Sequence, residues 1–218
     1  MLNWWGDCVF EYYAASEGGG TMITPQEWRK RPGSVGRPWA TAEIAIFDEE
    51  GHRLAADEVG TVYIKMQQGF AYHKDKAKTE KAWRTDGYFT VGDAGYLDAE
   101  GYLFLCDRKA DMIISGGVNI YPAEVESALS GHPLVLDVAV FGIPDPDWGE
   151  QVKAVIELKA AAPPDFEQTL IAWTRERIAG FKCPKTIDFV DSLPREANGK
   201  LKKRLLRDPY WEGTGRQI

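Results

Sequence analysis

Residues 11–20, Glu-Tyr-Tyr-Ala-Ala-Ser-Glu-Gly-Gly-Gly, run from an apolar segment into a glycine loop that carries a hydroxyl and a carboxylate side by side, Ser16 and Glu17. Hard oxygen donors of this kind suit Mg2+, which takes one or two protein groups plus substrate phosphates. An ordinary flexible turn has the same composition. A second stretch, residues 107–126, reads as a charged junction, a buried strand, the glycine pair Gly116-Gly117 and then a helix. Glycines without Cβ admit a ligand close to the backbone, and a charged junction between regions of different rhythm suits a hinge. A plain strand–turn–helix unit is the simpler account. The third stretch, Pro-Arg-Glu-Ala-Asn-Gly-Lys at 194–200, sets the strong turn former Asn198-Gly199 before Lys200. A compact ammonium at a loop tip suits a phosphate or carboxylate oxygen, although most exposed lysines are merely solvated.

Other chemistry is missing from the chain. It contains no GxxxxGK[ST] loop, no GxGxxG after a strand, no HExxH and no Ser-His-Asp layout. His52, His73 and His132 sit in polar or turn contexts. With 26 Lys and Arg against 33 Asp and Glu, the net charge of -7 argues against a dedicated nucleic-acid binder. No apolar run approaches the ~20 residues that span a bilayer, and the first residues lack the basic and apolar regions of a signal peptide. Cys8, Cys106 and Cys183 are odd in number and lack metal or redox spacing, which fits a reducing, cytoplasmic setting.

The elements that must hold these stretches divide near residue 107. Residues 1–107 read as β-rich, with strands at 42–47 and 60–66, an exposed polar helix within 74–83 and a hairpin turning at Gly101. No helix is expected over residues 1–73, so a parallel sheet here lacks its crossovers. This half therefore reads as the end of a larger domain; a complete small antiparallel domain is the alternative. Residues 108–218 predict a small α+β domain. Its strands are expected at 112–115, 136–143, 151–158 and 186–190. Helices are expected from Pro122, after Pro163-Pro164 with a Phe166/Leu170/Trp173 stripe, and over 200–207 with Leu201, Leu205 and Leu206 on one side.

In this order and at these separations, the three stretches resemble the adenylate-forming superfamily of acyl-CoA synthetases, luciferases and peptide-synthetase adenylation domains, with bacterial fatty-acyl-type CoA ligases the nearest likeness. The resemblance implies a β-rich C-terminal portion of the large AMP-binding domain over 1–107 and a small mobile α+β domain over 108–218, an α/β and α+β fold overall. The family's aromatic-Gly-x-Thr-Glu motif falls on residues 13–17. It implies that Tyr13 stacks on adenine, Glu11 lies near the adenine amino group, Ser16 touches phosphate and Glu17 holds Mg2+. Gly33 to Pro38 resembles the next, structural signature. Gly92-Asp93 resembles the pair whose aspartate accepts the ribose hydroxyls, and Arg108 matches the arginine that contacts the ribose. Gly116 and Gly117 match the loop lining the pantetheine tunnel. Lys182 and Lys185 fall in a basic stretch similar to one near the CoA nucleotide. Lys200 matches the lysine bridging the substrate carboxylate and the α-phosphate.

The implied reaction uses ATP, Mg2+ and CoA to convert a carboxylic acid, fatty or aryl, through an acyl-adenylate into a thioester. Ala14 and Ser16 replace the usual glycine and threonine, and Ala110 occupies the usual pivot position. Acetate-activating relatives carry Trp at the Ala14 position, so alanine points to a longer or bulkier acid. The family's pyrophosphate loop has no counterpart in these residues. The expectation is thus a C-terminal part of a longer ligase, inactive alone, with an N-terminal half as partner. The rival readings are a non-catalytic module that pairs with or regulates such a half or an intact ligase, and a peptide-synthetase adenylation domain.

Overall fold

The computed structural model describes residues 2–212, and its contacts divide the chain into two units, Met1–Lys109 and Ala110–Ile218. The first unit contains, in order, α1 (Leu2–Trp5), β1 (Glu11–Ala14), β2 (Gly20–Ile23), α2 (Pro25–Lys30), β3 (Ser34–Pro38), β4 (Ala42–Phe47), β5 (Gly60–Met66), α3 (Lys76–Ala82), β6 (Tyr88–Phe89), β7 (Asp93–Leu97) and β8 (Leu103–Arg108). The strands form one eight-stranded sheet ordered β1-β2-β3-β8-β7-β5-β4, with β6 added on β5. Every pairing in it is antiparallel, so short turns suffice where a parallel sheet would need crossover helices. Among the described residues β1 has β2 as its one strand neighbour, and Phe10 and Tyr12 beside its outer edge are exposed.

The apolar run in β4 follows from burial on both faces. Ile44 and Ile46 join Val62, Ile64, Phe89 and Leu103 in one cluster, while Ala45 and Phe47 pack with Tyr88 on the other side. Arg84 lies over the Phe47 ring, 3.9 Å from its centroid, and closes that second cluster.

Two helices occupy the region expected to be free of them. The second, α2, has a clear local cause: Thr24-Pro25-Gln26-Glu27 is a capping box with proline at the first helical position. Glu27 Oε2 accepts from the Thr24 main-chain N–H at 2.9 Å, and Thr24 Oγ1 accepts from the Glu27 N–H at 3.2 Å. The Thr24 bonds and the Tyr102 hydroxyl hold the Glu27 carboxyl down at about 2, and the Tyr102 bond of 2.8 Å ties α2 to the β7–β8 hairpin.

In the second unit the elements are β9 (Ile113–Ser115), β10 (Val118–Ile120), α4 (Pro122–Ser130), β11 (Val135–Asp145), β12 (Gly149–Leu158), α5 (Phe166–Arg175), β13 (Thr186–Val190) and α6 (Lys203–Trp211). They build a five-stranded sheet ordered β10-β9-β12-β11, with β13 parallel to β12 and reached through α5. Period-two alternation along β11 sends Val138 and Val140 to one face and Ala139, Phe141 and Ile143 to the other. Val125 and Leu129 of α4 with Phe166 and Leu170 of α5 cover the first face; Leu193, Leu201 and Leu206 cover the second.

Two sequence expectations are corrected here. Residues 118–120 are a strand, because Gly116 and Gly117 both take positive φ (59° and 80°) and close a two-residue hairpin with Ser115 opposite Val118. The tail helix starts at Lys203, three residues late, and Leu205 is exposed. Leu205 and Leu206 are adjacent and so lie about 100° apart around a helix, which lets one of them face the sheet. Among the described residues no helix is long and apolar enough to cross a membrane.

Leu170 is fully buried between α5 and the sheet. Leu170→Ala should cost ~2–5 kcal/mol, and Thr24→Ala should cost ~1 kcal/mol through lost capping. Both are read as a lower midpoint in urea unfolding.

Candidate active site

Within the first unit, antiparallel pairing assembles three of the candidate residues from far-separated parts of the chain. Tyr13 is the third residue of β1, Asp93 opens β7 and Arg108 closes β8, where the register sets it directly opposite Asp93. The Tyr13 hydroxyl donates to Asp93 Oδ2 at 2.5 Å, and Arg108 Nε lies 3.7 Å from Oδ1. The Asp93 side chain is 14% exposed and that of Arg108 64%, so a fixed acceptor meets a movable guanidinium. Gly92 reaches this position with φ of 89°, which only glycine adopts without strain. Its N–H meets Thr90 Oγ1 at 3.0 Å, and its carbonyl accepts from the Lys109 N–H at 2.8 Å. Burial, and then the bond to Asp93, push the Tyr13 phenol well above the ordinary tyrosine value, so it stays a donor.

A second group forms on the turn after β1. Ser16 Oγ donates to Glu17 Oε2 at 2.9 Å, and the Tyr72 hydroxyl donates to Glu17 Oε1 at 2.7 Å. The Tyr72 bond is the main reason the Glu17 carboxyl lies below the usual glutamate range, with Ser16 and the charge of Lys78 adding to it. An open cleft of about 580 Å³ lies alongside, lined by Tyr72, Lys78, Lys81, Thr90, Gly92 and Lys109. Among the described residues no three His, Cys, Asp or Glu side chains converge. Glu17 with Ser16 is therefore a single-carboxylate, oxygen-only donor set, which fits a magnesium ion that keeps water and phosphate ligands and does not fit zinc.

Glu11 is not joined to either group by a contact in the structure. It is exposed on β1 and lines a separate hollow of about 390 Å³ with Leu2, Val9, Ile23, Trp28 and Arg29.

The remaining candidates lie in the second unit. Gly116 and Gly117 form the β9–β10 turn. The Gly116 N–H donates to the Trp148 carbonyl at 2.8 Å, and a Cβ on Gly116 would stand 2.4 Å from the Trp148 indole. Lys182 is paired with Glu124 at 2.7 Å and Lys185 with Asp145 at 2.8 Å. Lys200 is exposed in a turn where its N–H meets Asn198 Oδ1 at 2.9 Å and its carbonyl accepts from Glu196. No ion pair engages the Lys200 ammonium among the described residues. Ala110 lies in a 3₁₀ turn, Lys109–Asp111.

Tyr72 was invisible to sequence reasoning. Its one signal is a tyrosine in a polar segment just ahead of α3, and nothing local to residues 70–74 links it to a carboxylate fifty-five positions earlier.

The fold favours the protonated Tyr13 phenol, so its contribution to stability is intact below pH 10, the ordinary tyrosine value, and is lost as pH rises beyond it. In Asp93→Asn the Tyr13 phenol should ionise at lower pH than in the parent, seen as earlier tyrosinate absorbance from one of the nine tyrosines. An unchanged curve would leave burial as the sole cause.

Comparison with known proteins follows the same division. The AMP-binding enzyme family model matches residues 1–71, and the AMP-binding enzyme C-terminal domain model matches residues 124–200. A long-chain-fatty-acid–CoA ligase of Bacillus subtilis is 41% identical over 206 residues, which is 93% of this chain and 37% of that protein. A 2-succinylbenzoate–CoA ligase of Bacillus velezensis is 40% identical over 92% of this chain and 41% of its own length. The crystal structure of ATP-bound MatB from Rhodopseudomonas palustris superposes with a TM-score of 0.85 at 34% identity, covering 95% of this chain and 41% of that one. The chain thus spans about two-fifths of the length of these relatives. With both family models and the aligned relatives agreeing on it, the chain belongs to the AMP-binding, adenylate-forming enzyme family.

Proposed function

We propose that this chain is the nucleotide-holding and lysine-bearing part of an ATP- and CoA-dependent acid–thiol ligase acting on a fatty or aryl carboxylic acid. The observation that carries this reading is Asp93. One of its oxygens is fixed by Tyr13, and among the described residues the other faces the looser, exposed Arg108 at 3.7 Å. That second oxygen is open to a ribose hydroxyl, with the Arg108 guanidinium beside it. Tyr13 offers its ring to adenine and Ser16 its hydroxyl to phosphate; Glu11, which lines a separate hollow, has no part in this reading. Glu17 would hold magnesium, which when bound neutralises phosphate charge as a Lewis acid. The fatty-acid and succinylbenzoate ligases among the relatives support the acid class, and ATP-bound MatB supports the nucleotide.

In the first step the acid's carboxylate oxygen attacks the α-phosphorus of ATP and the bond to pyrophosphate breaks. Lys200, an ammonium on an exposed turn and without an ion pair among the described residues, would bridge the incoming carboxylate and the α-phosphate as negative charge crowds there. In the second step the CoA sulfur attacks the acyl carbon and AMP leaves. The Gly116-Gly117 hairpin would belong to that step: Gly116 lies against the Trp148 indole, while a Cβ on Gly117 would meet nothing within 4 Å, which leaves room there for a thin pantetheine arm. Lys182 and Lys185 would meet the CoA nucleotide by exchanging Glu124 and Asp145 for its phosphates.

The sequence has no GxxxxGK[ST] loop; in this reading the chain is inactive alone and works, in the cytoplasm, with an N-terminal portion that supplies the pyrophosphate loop. Incubating the chain with ATP, CoA and a panel of fatty and aryl acids should yield no thioester; robust turnover would overturn this part of the reading. In a complete ligase containing the chain, Lys200→Ala should lower acyl-adenylate formation ~10²–10³-fold while sparing thioester formation from supplied acyl-adenylate. Equal loss of both steps would remove Lys200 from the first. A non-catalytic module would bind its N-terminal partner in size-exclusion chromatography yet show no turnover in any combination.

A further inference from the structure

Resting on the reading of Glu17 as a magnesium ligand, we infer that Tyr72 is a positioning residue for that carboxylate, and that α3 exists in this fold to hold Tyr72 in place. The two Glu17 oxygens are each met by one neutral donor, Tyr72 on Oε1 at 2.7 Å and Ser16 on Oε2 at 2.9 Å. Ser16 is the neighbouring residue on the same turn and moves with Glu17. Tyr72 is therefore the one that anchors the carboxylate to another part of the unit.

Its own setting is built for the task. The Tyr72 main-chain N–H donates to Thr79 Oγ1 at 2.9 Å, and that hydroxyl donates in turn to the Asp75 carbonyl at 2.8 Å. Asp75 caps α3, accepting from the Lys78 N–H at 2.9 Å. The Lys78 ammonium stands 4.0 Å from the centre of the Tyr72 ring. Phe70 meets that ring edge-on at 5.3 Å and packs in turn on Trp83 and Phe89, the last fully buried. A short helix that looks like polar surface in the sequence thus holds the phenol through its backbone and its ring face, and Phe70 holds the ring edge.

A single carboxylate binds a divalent ion weakly unless its rotamer is already set, and partners that orient a metal ligand are worth 10–100-fold in affinity. Tyr72 leaves the second lone pair of each Glu17 oxygen free while removing the freedom of the side chain to swing away. Lys78 keeps the charge balance near the carboxylate and flanks the same cleft.

The test uses the full chain with Mn2+ as the spectroscopic ion, read by water-proton relaxation with and without ATP, beside equilibrium dialysis of ATP in EDTA. Tyr72→Phe should weaken Mn2+ binding about tenfold and leave metal-free ATP binding unchanged. Equal Mn2+ affinity in the variant and the parent overturns the positioning role alone. A parallel loss of metal-free ATP binding also overturns it, because that outcome is what a purely structural tyrosine produces. Glu17→Gln serves as the control for the underlying reading: if it binds Mn2+ like the parent, the metal assignment falls and the inference with it. Should Tyr72→Phe fail to fold by circular dichroism, Thr79→Val removes the backbone anchor and keeps the phenol. A weaker Mn2+ affinity there sustains the role of α3, and an unchanged one overturns it.

Discussion

The hydrogen bond from the Tyr13 hydroxyl to Asp93 spans eighty residues of sequence at 2.5 Å and joins the edge strand β1 to the far-removed start of β7. The placement of Asp93 and Arg108 in the first unit leans on that join. It sets the ring of Tyr13 beside the one well-buried carboxylate of the group, and it occupies one Asp93 oxygen so that the other faces Arg108 across the β7–β8 ladder. Opposite charges directly across an antiparallel pair are a modest attraction on their own. Here the small exposure of Asp93 raises its worth, since a charge withdrawn from water interacts more strongly with what remains near it.

Glu17 illustrates the same logic at a turn. Its carboxylate is exposed enough to meet a ligand, yet it does not wander, because donors from two places hold its two oxygens. Of the lysines that line the adjoining cleft, Lys78 acts on the Glu17 carboxylate, while Lys109 is paired with Glu49 at 3.1 Å. The second unit solves a different problem. Its long β11–β12 ladder is buried on both faces, by α4 and α5 on one side and by residues 193–206 on the other. That slab carries two turns on its margins: the glycine hairpin, whose Gly116 N–H donates to the Trp148 carbonyl, and the exposed turn that presents Lys200. Lys182 and Lys185, by contrast, are tied to carboxylates, so any phosphate they meet must displace an existing partner.

Much of the secondary structure was legible because it is written in short-range patterns. The strands at 42–47, 60–66 and 186–190 match the apolar runs residue for residue. The Phe166 and Leu170 stripe lies buried as helical spacing requires. The misses are equally local in origin. The capping box at Thr24–Glu27 was a readable signal for α2, and the Gly116-Gly117 pair was a readable signal for a two-residue hairpin. Each sits in a polar or glycine-rich stretch, a composition that loops share. The orientation of Leu205 could not be read, since choosing between adjacent leucines depends on where the helix begins, and it begins at Lys203, two residues past the bridge between Arg195 and Leu201.

Residue types and spacing along the chain were enough to establish the family resemblance, the β-rich first half, the α+β second half and the identity of the candidate carboxylates and lysines. They could do so because turn chemistry, periodicity and motif separation are properties of nearby residues. Only the folded chain decided that Tyr13 meets Asp93, that Tyr72 holds Glu17, that Glu11 lines a different hollow, and that Lys182 and Lys185 are paired while Lys200, among the described residues, is not. Those outcomes rest on sheet register and on which strands lie side by side. A register is fixed by the packing of whole faces against a core, so no local stretch of sequence carries it.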